Sequence, residues 1–508
     1  MSNQIKIPIV VFMVVLAAKI LLVMMGRKKK EDTEILVLWL LIATVTSLVH
    51  SFYVLVLVLI IIKVTYLRND LGKNVVAFFA LWAVIPFHFI IHFPLPSVPL
   101  MNATYQRMAF VIWILPLLPK LLDQARMKER RVFFDVPVLY LIAMGIFVAF
   151  SEHVGYPITI ITSIKEVMQL FMDMVIPYFL IVLWADTWAK LKRVLFAFLL
   201  AGIVLSTFGV FEAVFSWNVF TELVFREMIP VSETDKYRAF LRSKAAFPES
   251  IAFGIYILIT LGIALAVMFR DKKNMMGKLV VVGAMLAALY ATQSRGDQIA
   301  AVLLLSLYFF FKMQSSSRFI LLIFMAIVFS VAGYTYKQQS PAGAGTDLDE
   351  VDEHGTFDYR KRLFETELAL IPKHPFFGNT TYMKEPSMEA LRQGEGIIDP
   401  VNTYLTIAVE RGLVTLFFFM FFILRSVRAC LSYVKYGYAV NNQVWVNLGA
   451  ALTATVFALS VALIFTSFAD TNPPVFWFVM GIARAMQLNL NKMREISRGK
   501  DEYDLGYA

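Results

Sequence analysis

With 508 residues, 59% of them hydrophobic, the chain is too apolar for water to be its main solvent. Its net charge of +10 does not point to nucleic acid, because Lys and Arg stand in short stretches between apolar runs instead of forming a basic domain with interleaved aromatics. The one cysteine, Cys430, excludes a disulfide framework and a Cys-based metal site.

Apolar runs near the spanning length of ~20 residues recur from end to end and lack the two-residue alternation of barrel strands. The predicted fold class is therefore all-α, a polytopic transmembrane helical bundle. In chain order the expected spans are 7–25, 35–50, 51–67, 74–92, 107–122, 132–150, 167–184, 191–214, 248–268, 277–293, 297–312, 318–335, 402–424, 445–467 and 472–489. The first is read as a retained helix and not a cleaved signal peptide, because it lacks a basic leader and is followed by Arg27-Lys28-Lys29-Lys30. Four regions follow: amino-terminal spans (1–190), spans with a first long loop (191–335), a large loop (336–401), and carboxy-terminal spans with a tail (402–508).

Cytoplasmic loops hold the excess of Lys and Arg. Alternate connections here do so: Arg27 to Lys30, Lys63 to Lys73, Lys120 to Arg131, Lys190 to Arg193, Arg270 to Lys278, Lys312 to Arg318, Arg425 to Lys435, and the tail from Lys492. The others are nearly bare. This alternation predicts an odd number of spans, with the amino terminus outside and the carboxyl terminus cytoplasmic. Two segments, 215–247 and 336–401, are long and fall on the outer side. The larger opens with a turn-rich, acidic stretch through Asp347 to Glu353. A helix is then predicted over 358–370, with Leu363, Phe364, Leu368 and Leu370 spaced to pack down on the bundle.

Topology gives no reason to keep arginines outside, so those found there are informative. They are Arg238 and Arg242 in the first loop, Arg295 in the tight turn Gln293-Ser294-Arg295-Gly296-Asp297, and Arg360 beside Lys361 and Arg362 in the loop helix. Guanidinium forks match phosphate oxygens bidentately, so three remote segments at one face suit a phosphate or diphosphate at headgroup level. The plainer alternative is snorkelling to headgroups, or pairing with Asp297 and Glu365. The histidines lack ligand spacing, the acidic run lacks the glycine of a calcium loop, and no nucleotide-binding loop is in place. No metal or cofactor is expected.

The order Arg242…Phe247-Pro248-Glu249-Ser250, Ser294-Arg295-Gly296, Tyr359-Arg360, His374-Pro375-Phe376-Phe377-Gly378, Asn402-Thr403-Tyr404-Leu405 and Glu410-Arg411-Gly412-Leu413 resembles the O-antigen polymerase and O-antigen ligase superfamily over about residues 190–430. The resemblance implies a GT-C-like membrane glycosyltransferase that takes a glycan from a polyprenyl-diphosphate donor on the outer leaflet, without metal or nucleotide sugar. Arg242 and Arg295 match the arginines held to grip the donor diphosphate, and Arg360 matches the basic residue of the loop helix. Arg238 is grouped with them.

Ligases of the family carry a His just before the Asn-Thr-Tyr-Leu-like motif, where this chain has Val401. The Asp-Pro-Val-Asn-Thr-Tyr pattern is similar instead to the exopolysaccharide branch of Wzy-type polymerases. Asp399 is the substitute base, or else the cap of the helix that starts near Asn402. Glu410 and Arg411, two turns into that helix, are charges that need pairing or a wet cavity; Glu410 joins Arg295 and Asp399 as a catalytic candidate. Asn402, Tyr404 and Arg411 are read on the acceptor side, and His374 as structural.

The expected activity is polymerisation of lipid-diphosphate-linked repeat units into a surface or secreted polysaccharide. Expected partners are that donor and acceptor, membrane lipids, a chain-length regulator and export proteins. A ligase is the alternative within the family. A flippase for lipid-linked sugars, with Lys19, Asp135, Asp173 and Glu212 as buried charges, is the alternative of another class.

Overall fold

Inside hydrocarbon no water can satisfy a backbone amide, so each apolar run must close its hydrogen bonds within itself. A computed structural model shows this outcome: an all-α polytopic membrane protein. It describes residues 3–49, 51–86, 91–92, 102–126, 135–151, 159–220, 241–269, 273–313, 351–392, 398, 400–468 and 472–505. The expected span 318–335 lies outside them, as do Arg238 and Asp399.

The first helices are α1 (Asn3–Met24), α2 (Lys30–Val49), α3 (Phe52–Ile62) and α4 (Leu71–Trp82). The expected pair within 35–67 is two helices, parted at Ser51, the N-cap of α3. Two two-residue strands, β1 (Ile91–His92) and β2 (Asn102–Ala103), pair antiparallel. Next come α5 (Tyr105–Ala109), α6 (Leu118–Arg126), α7 (Val136–Ala149), α8 (Ile160–Leu170) and α9 (Ile176–Trp184). The expected span 107–122 is broken by π and 3-10 turns between α5 and α6, where Pro116, followed by Pro119 in the first turn of α6, cannot donate a backbone bond. The carboxy-terminal half has α10 (Trp188–Phe215), α11 (Ser250–Met268), α12 (Met275–Ala291), α13 (Arg295–Lys312), α14 (Val351–Leu370), α15 (Pro386–Glu389), α16 (Thr403–Ala439), α17 (Gln443–Ala462) and α18 (Asn472–Leu505). Among the described residues, seven helical segments are long and apolar enough to cross a membrane, and four shorter apolar helices accompany them.

Helix α11 is the centre, buried along nearly its whole length against α10, α12, α13 and α17. The four charges that a transport path would use each have a structural partner. Lys19 donates to Thr33, and Arg107 grips Asp173 with Nη2 at 2.6 Å and Nε at 3.0 Å. Asp135 pairs with Arg425, with Arg484 at 3.5 Å, and accepts from the Tyr178 hydroxyl at 3.4 Å. The fourth, Glu212, belongs to the site.

Several of the basic connections meet at one end. Arg193 bonds Glu31, Asn274 lies against Gly26, Met24 against Gly277, and the Tyr438 hydroxyl donates to Phe311 O.

Candidate active site

At the other end of α10, Glu212 is fully buried and its Oε2 accepts three hydrogen bonds: from Ser243 Oγ at 2.9 Å, Lys244 N at 3.1 Å and Ala245 N at 2.8 Å. This straps the segment that leads into α11 onto α10. The same segment is tied to the end of α12 by Ser243 N, which donates to Ala291 O at 3.0 Å. Arg242 is thereby set against the α12–α13 turn, where its Nε donates to Thr292 O at 3.1 Å. Two residues that carry Cβ atoms, Ala245 (φ 48) and Gln293 (φ 53), adopt the left-handed conformation here, one in each segment. Such strain persists only where the surroundings over-determine it, and it collects at functional sites.

The turn places Arg295 exposed at the first position of α13, beside the backbone N–H groups that the start of a helix leaves unsatisfied. Two residues on, Asp297 is buried, hydrogen-bonded by the Ser294 hydroxyl and within reach of the Arg242 charge. Its carboxylate fits only because α11 has a glycine opposite: a Cβ on Gly254 would stand 2.2 Å from Asp297 Oδ2. Two guanidinium-bearing segments and a helix amino terminus thus converge, an arrangement that attracts an anion.

The same end of the bundle carries the start of α16. Thr403 donates to Thr466 O through both N (3.0 Å) and Oγ1 (2.7 Å), and Gly296 packs against Phe465. Asn402 caps α16, its Oδ1 accepting from Tyr404 N at 3.0 Å and Leu405 N at 3.3 Å, so the cap considered for Asp399 belongs to Asn402. The Tyr404 hydroxyl donates to Ser460 O at 2.7 Å.

Helix α14 begins at Val351, seven residues earlier than expected, and ends at Leu370 as expected. Its buried face differs from the apolar spacing. Leu363 and Leu370 are buried with Glu367, whereas Phe364 and Leu368 are exposed at 46% and 52%. Positions 363, 367 and 370 stack on one side of an α-helix and 364 and 368 sit about 100° away, so a carboxyl takes the place of an apolar group on the packed face. Arg360, Lys361 and Arg362 are exposed. Arg360 follows Tyr359, which packs on a small core made by Leu363, Leu370, Tyr382, Met388 and Ile398 of the loop with Val409 of α16.

That loop docks on a break in α16. Gly412 has φ 82 and ψ 166, which splits the helix. The opened backbone bonds the loop as a strand would: Leu413 N donates to Pro375 O and Asn379 N to Val409 O, each at 2.7 Å. Two motifs 34 residues apart by the count from Gly378 to Gly412 are therefore one joint. Glu410 and Arg411 stand immediately before the break and pair with each other, Nε to Oε2, at 2.9 Å. His374 is exposed, and its carbonyl closes the turn by accepting from Gly378 N at 3.0 Å.

Burial pushes the Glu367 carboxyl from 4.5 up to about 8, and its Oε1 has no hydrogen-bond partner. Burial, with the charges of Glu367 and Glu410 next in order, also raises the neighbouring Tyr382 phenol. A folded pKa above the ordinary value means that the docked loop holds the proton more tightly than the released loop. Docking stability from this group is whole below 4.5 and is lost as pH rises through about 8. Protease resistance of the loop is thus expected to fall between about pH 4.5 and about pH 8, and Glu367→Gln to flatten that dependence. An unchanged profile in the variant assigns the loss to other groups.

Residues 280–420 match the family model described as O-Antigen ligase. No curated protein matches the chain. The matched stretch contains the Arg295 turn, the docked loop and the Gly412 break. Arg242 lies outside it and is joined to it by the hydrogen bond to Thr292 O.

Proposed function

Starting from a chain whose family match indicates an O-antigen ligase or polymerase type of membrane enzyme, we propose that it polymerises polyprenyl-diphosphate-linked oligosaccharide repeat units into a surface or secreted polysaccharide. The observation that carries this reading is the Arg242–Thr292 contact, which brings a guanidinium group onto the turn that presents Arg295 at a helix amino terminus. A diphosphate leaving group is the ligand this chemistry suits.

In the reaction, an acceptor sugar hydroxyl attacks the anomeric carbon of the lipid-linked glycan. The bond from that carbon to the diphosphate oxygen breaks, and the lipid diphosphate leaves with the bonding electrons. Arg242 and Arg295 stabilise the charge that develops on it, and Arg360 on the loop extends the basic surface. The acceptor proton passes to a carboxylate, Asp399 in this reading, with Glu410 as the second choice. Asn402, Tyr404 and Arg411 line the acceptor side. The docked loop covers the reacting bond and favours transfer over hydrolysis.

The basic connections that collect at the opposite end of the bundle support a cytoplasmic orientation for that end, and so an outward-facing site in the bacterial inner membrane. On this topology the amino terminus is outside and the carboxyl terminus cytoplasmic. A chain-length regulator and export proteins are the partners of such a system.

Product analysis in cells lacking the gene separates polymerase from ligase. A missing polymerase leaves single repeat units on the lipid carrier. A missing ligase leaves long chains stranded there, which would overturn this assignment in favour of transfer to a different acceptor.

A further inference from the structure

The loop that docks at Gly412 carries two exposed phenylalanines at the joint itself. Phe376 and Phe377 are each 66% exposed, although their backbone lies directly on α16: a Cβ on Gly412 would stand 2.1 Å from Phe376 O and 2.6 Å from Phe377 N. The turn is closed by Gly378 N on His374 O and tied down by Leu413 N on Pro375 O, so α16 fixes the position of both residues. The surface of α16 defines the level of that joint. Among the described residues, the exposed large apolar side chains of α16 begin at Leu413, directly after the break, and continue at Phe417, Phe421 and Leu424. Their spacing puts them on one face, and on a helix long and apolar enough to cross a membrane such a face meets lipid. Directly before the break stand Glu410 and Arg411, so Gly412 marks the end of the lipid-facing stripe on the side of the candidate site.

Helix α14 meets α16 close to the same level. Its buried Leu363 and Leu370 share a core with Val409, one turn before Leu413, while Phe364 and Leu368 are exposed on the adjoining side. At about 100° per residue, Arg360, Phe364, Leu368 and Lys361 follow one another around the helix within a single arc of about 100°, so two exposed cations flank the apolar pair. A helix face that joins Phe and Leu to Arg and Lys suits a bilayer surface, with the apolar groups in the acyl boundary and the cations at the phosphates. Water is the poorer solvent for these side chains, and the lipid that covers Leu413 and Phe417 begins where Phe376 and Phe377 stand.

We propose that the docked loop is an interfacial anchor: Phe376, Phe377, Phe364 and Leu368 enter the phospholipid leaflet at the level of Gly412, and Arg360 and Lys361 lie among its headgroup phosphates. The continuity with the lipid-facing stripe of α16 carries this assignment, and the flanking cations agree with it. The anchor holds the loop at the surface in which a lipid-linked substrate would lie. It rests on α16 crossing the membrane and stands whether or not the neighbouring site transfers sugars.

The test places the full-length protein in nanodiscs of phosphatidylethanolamine and phosphatidylglycerol. In a Cys430→Ser background a fluorophore is attached through Phe376→Cys, through Leu368→Cys or, as a control at an exposed polar position of the loop, through Ser387→Cys. Quenching is then compared between a nitroxide carried high on the lipid acyl chain and iodide in the water. Lipid-borne quenching at 376 and 368 is expected to exceed that at 387 by about threefold or more, as for groups seated in the acyl boundary. Because a labelled variant can misfold, the unmodified protein is also irradiated with a phospholipid that bears a diazirine on the upper acyl chain, and adducts are expected on the peptides that hold Phe364 to Phe377. Labels at 376 and 368 that iodide quenches as it does the label at 387, with no adduct on those peptides, put the patch in water and overturn the proposal. Labels shielded from both quenchers assign the cover to protein, a second copy of this chain included, and overturn it equally.

Discussion

Replacing Arg295 with alanine is expected to lower kcat/KM for elongation of a synthetic polyprenyl-diphosphate oligosaccharide by roughly 10²–10³-fold, the effect of removing one preorganised charge donor from a site of developing negative charge. Arg295 is exposed at the first position of α13, and membrane topology does not call for an arginine there. Lysine at 295 restores the charge but not the fork, so Arg295→Lys is expected to recover only part of the loss. Arg242→Ala removes a second cation and also the bond to Thr292 O, so it is expected to lower the melting temperature as well as activity. If both cations hold one diphosphate, the double variant loses less than the product of the single losses, because the two effects are not independent. Purified Arg295→Ala that elongates at the wild-type rate removes the diphosphate from this turn.

Gly412→Ala is the second large effect, and it acts on the joint between loop and membrane helix. At φ 82 and ψ 166 the residue occupies a region that costs a side chain roughly 1–3 kcal/mol, and a new Cβ would stand 2.1 Å from Phe376 O, a backbone atom that cannot swing aside. Gly378 makes the reciprocal approach, its Cβ position 2.4 Å from Arg411 N. The variant can relieve the clash only by straightening α16, which gives up the bonds from Leu413 N to Pro375 O and from Asn379 N to Val409 O. Activity is expected to fall by about a hundredfold or more, and residues 351–392 to become cleavable in limited proteolysis while the membrane helices stay resistant. A loop that remains resistant in an inactive variant moves the role of Gly412 from docking to chemistry.

Much of this was legible without coordinates, for reasons that lie in local chemistry. A run of apolar residues long enough to cross hydrocarbon must be helical wherever it packs, so the class of fold follows from hydropathy alone. The pair of helices in 35–67, the end of the loop helix at Leu370 and the start of α16 near Asn402 follow from local breakers and caps in the same way. The outer arginines are informative because topology leaves them unexplained, and the resemblance to the O-antigen polymerase and ligase superfamily agrees with the family match over 280–420.

Tertiary structure decided what joins what. Nothing near Arg242 announces that its partner is the carbonyl of Thr292, fifty residues on, because any backbone carbonyl presents the same acceptor. Glu212 read as a buried charge suited to transport; in the folded chain it is the acceptor for three donors of the segment that carries Arg242. The loop helix turned Glu367 inward and Phe364 outward, because the docking partner and not the helix's own spacing chooses which face is covered. Gly412 read as one letter of a motif, yet its positive φ is what opens α16 to receive Pro375 through Asn379. Composition and spacing determine which segments enter the membrane and which charges need an explanation; the pairing of remote backbone groups depends on packing that only the assembled bundle supplies.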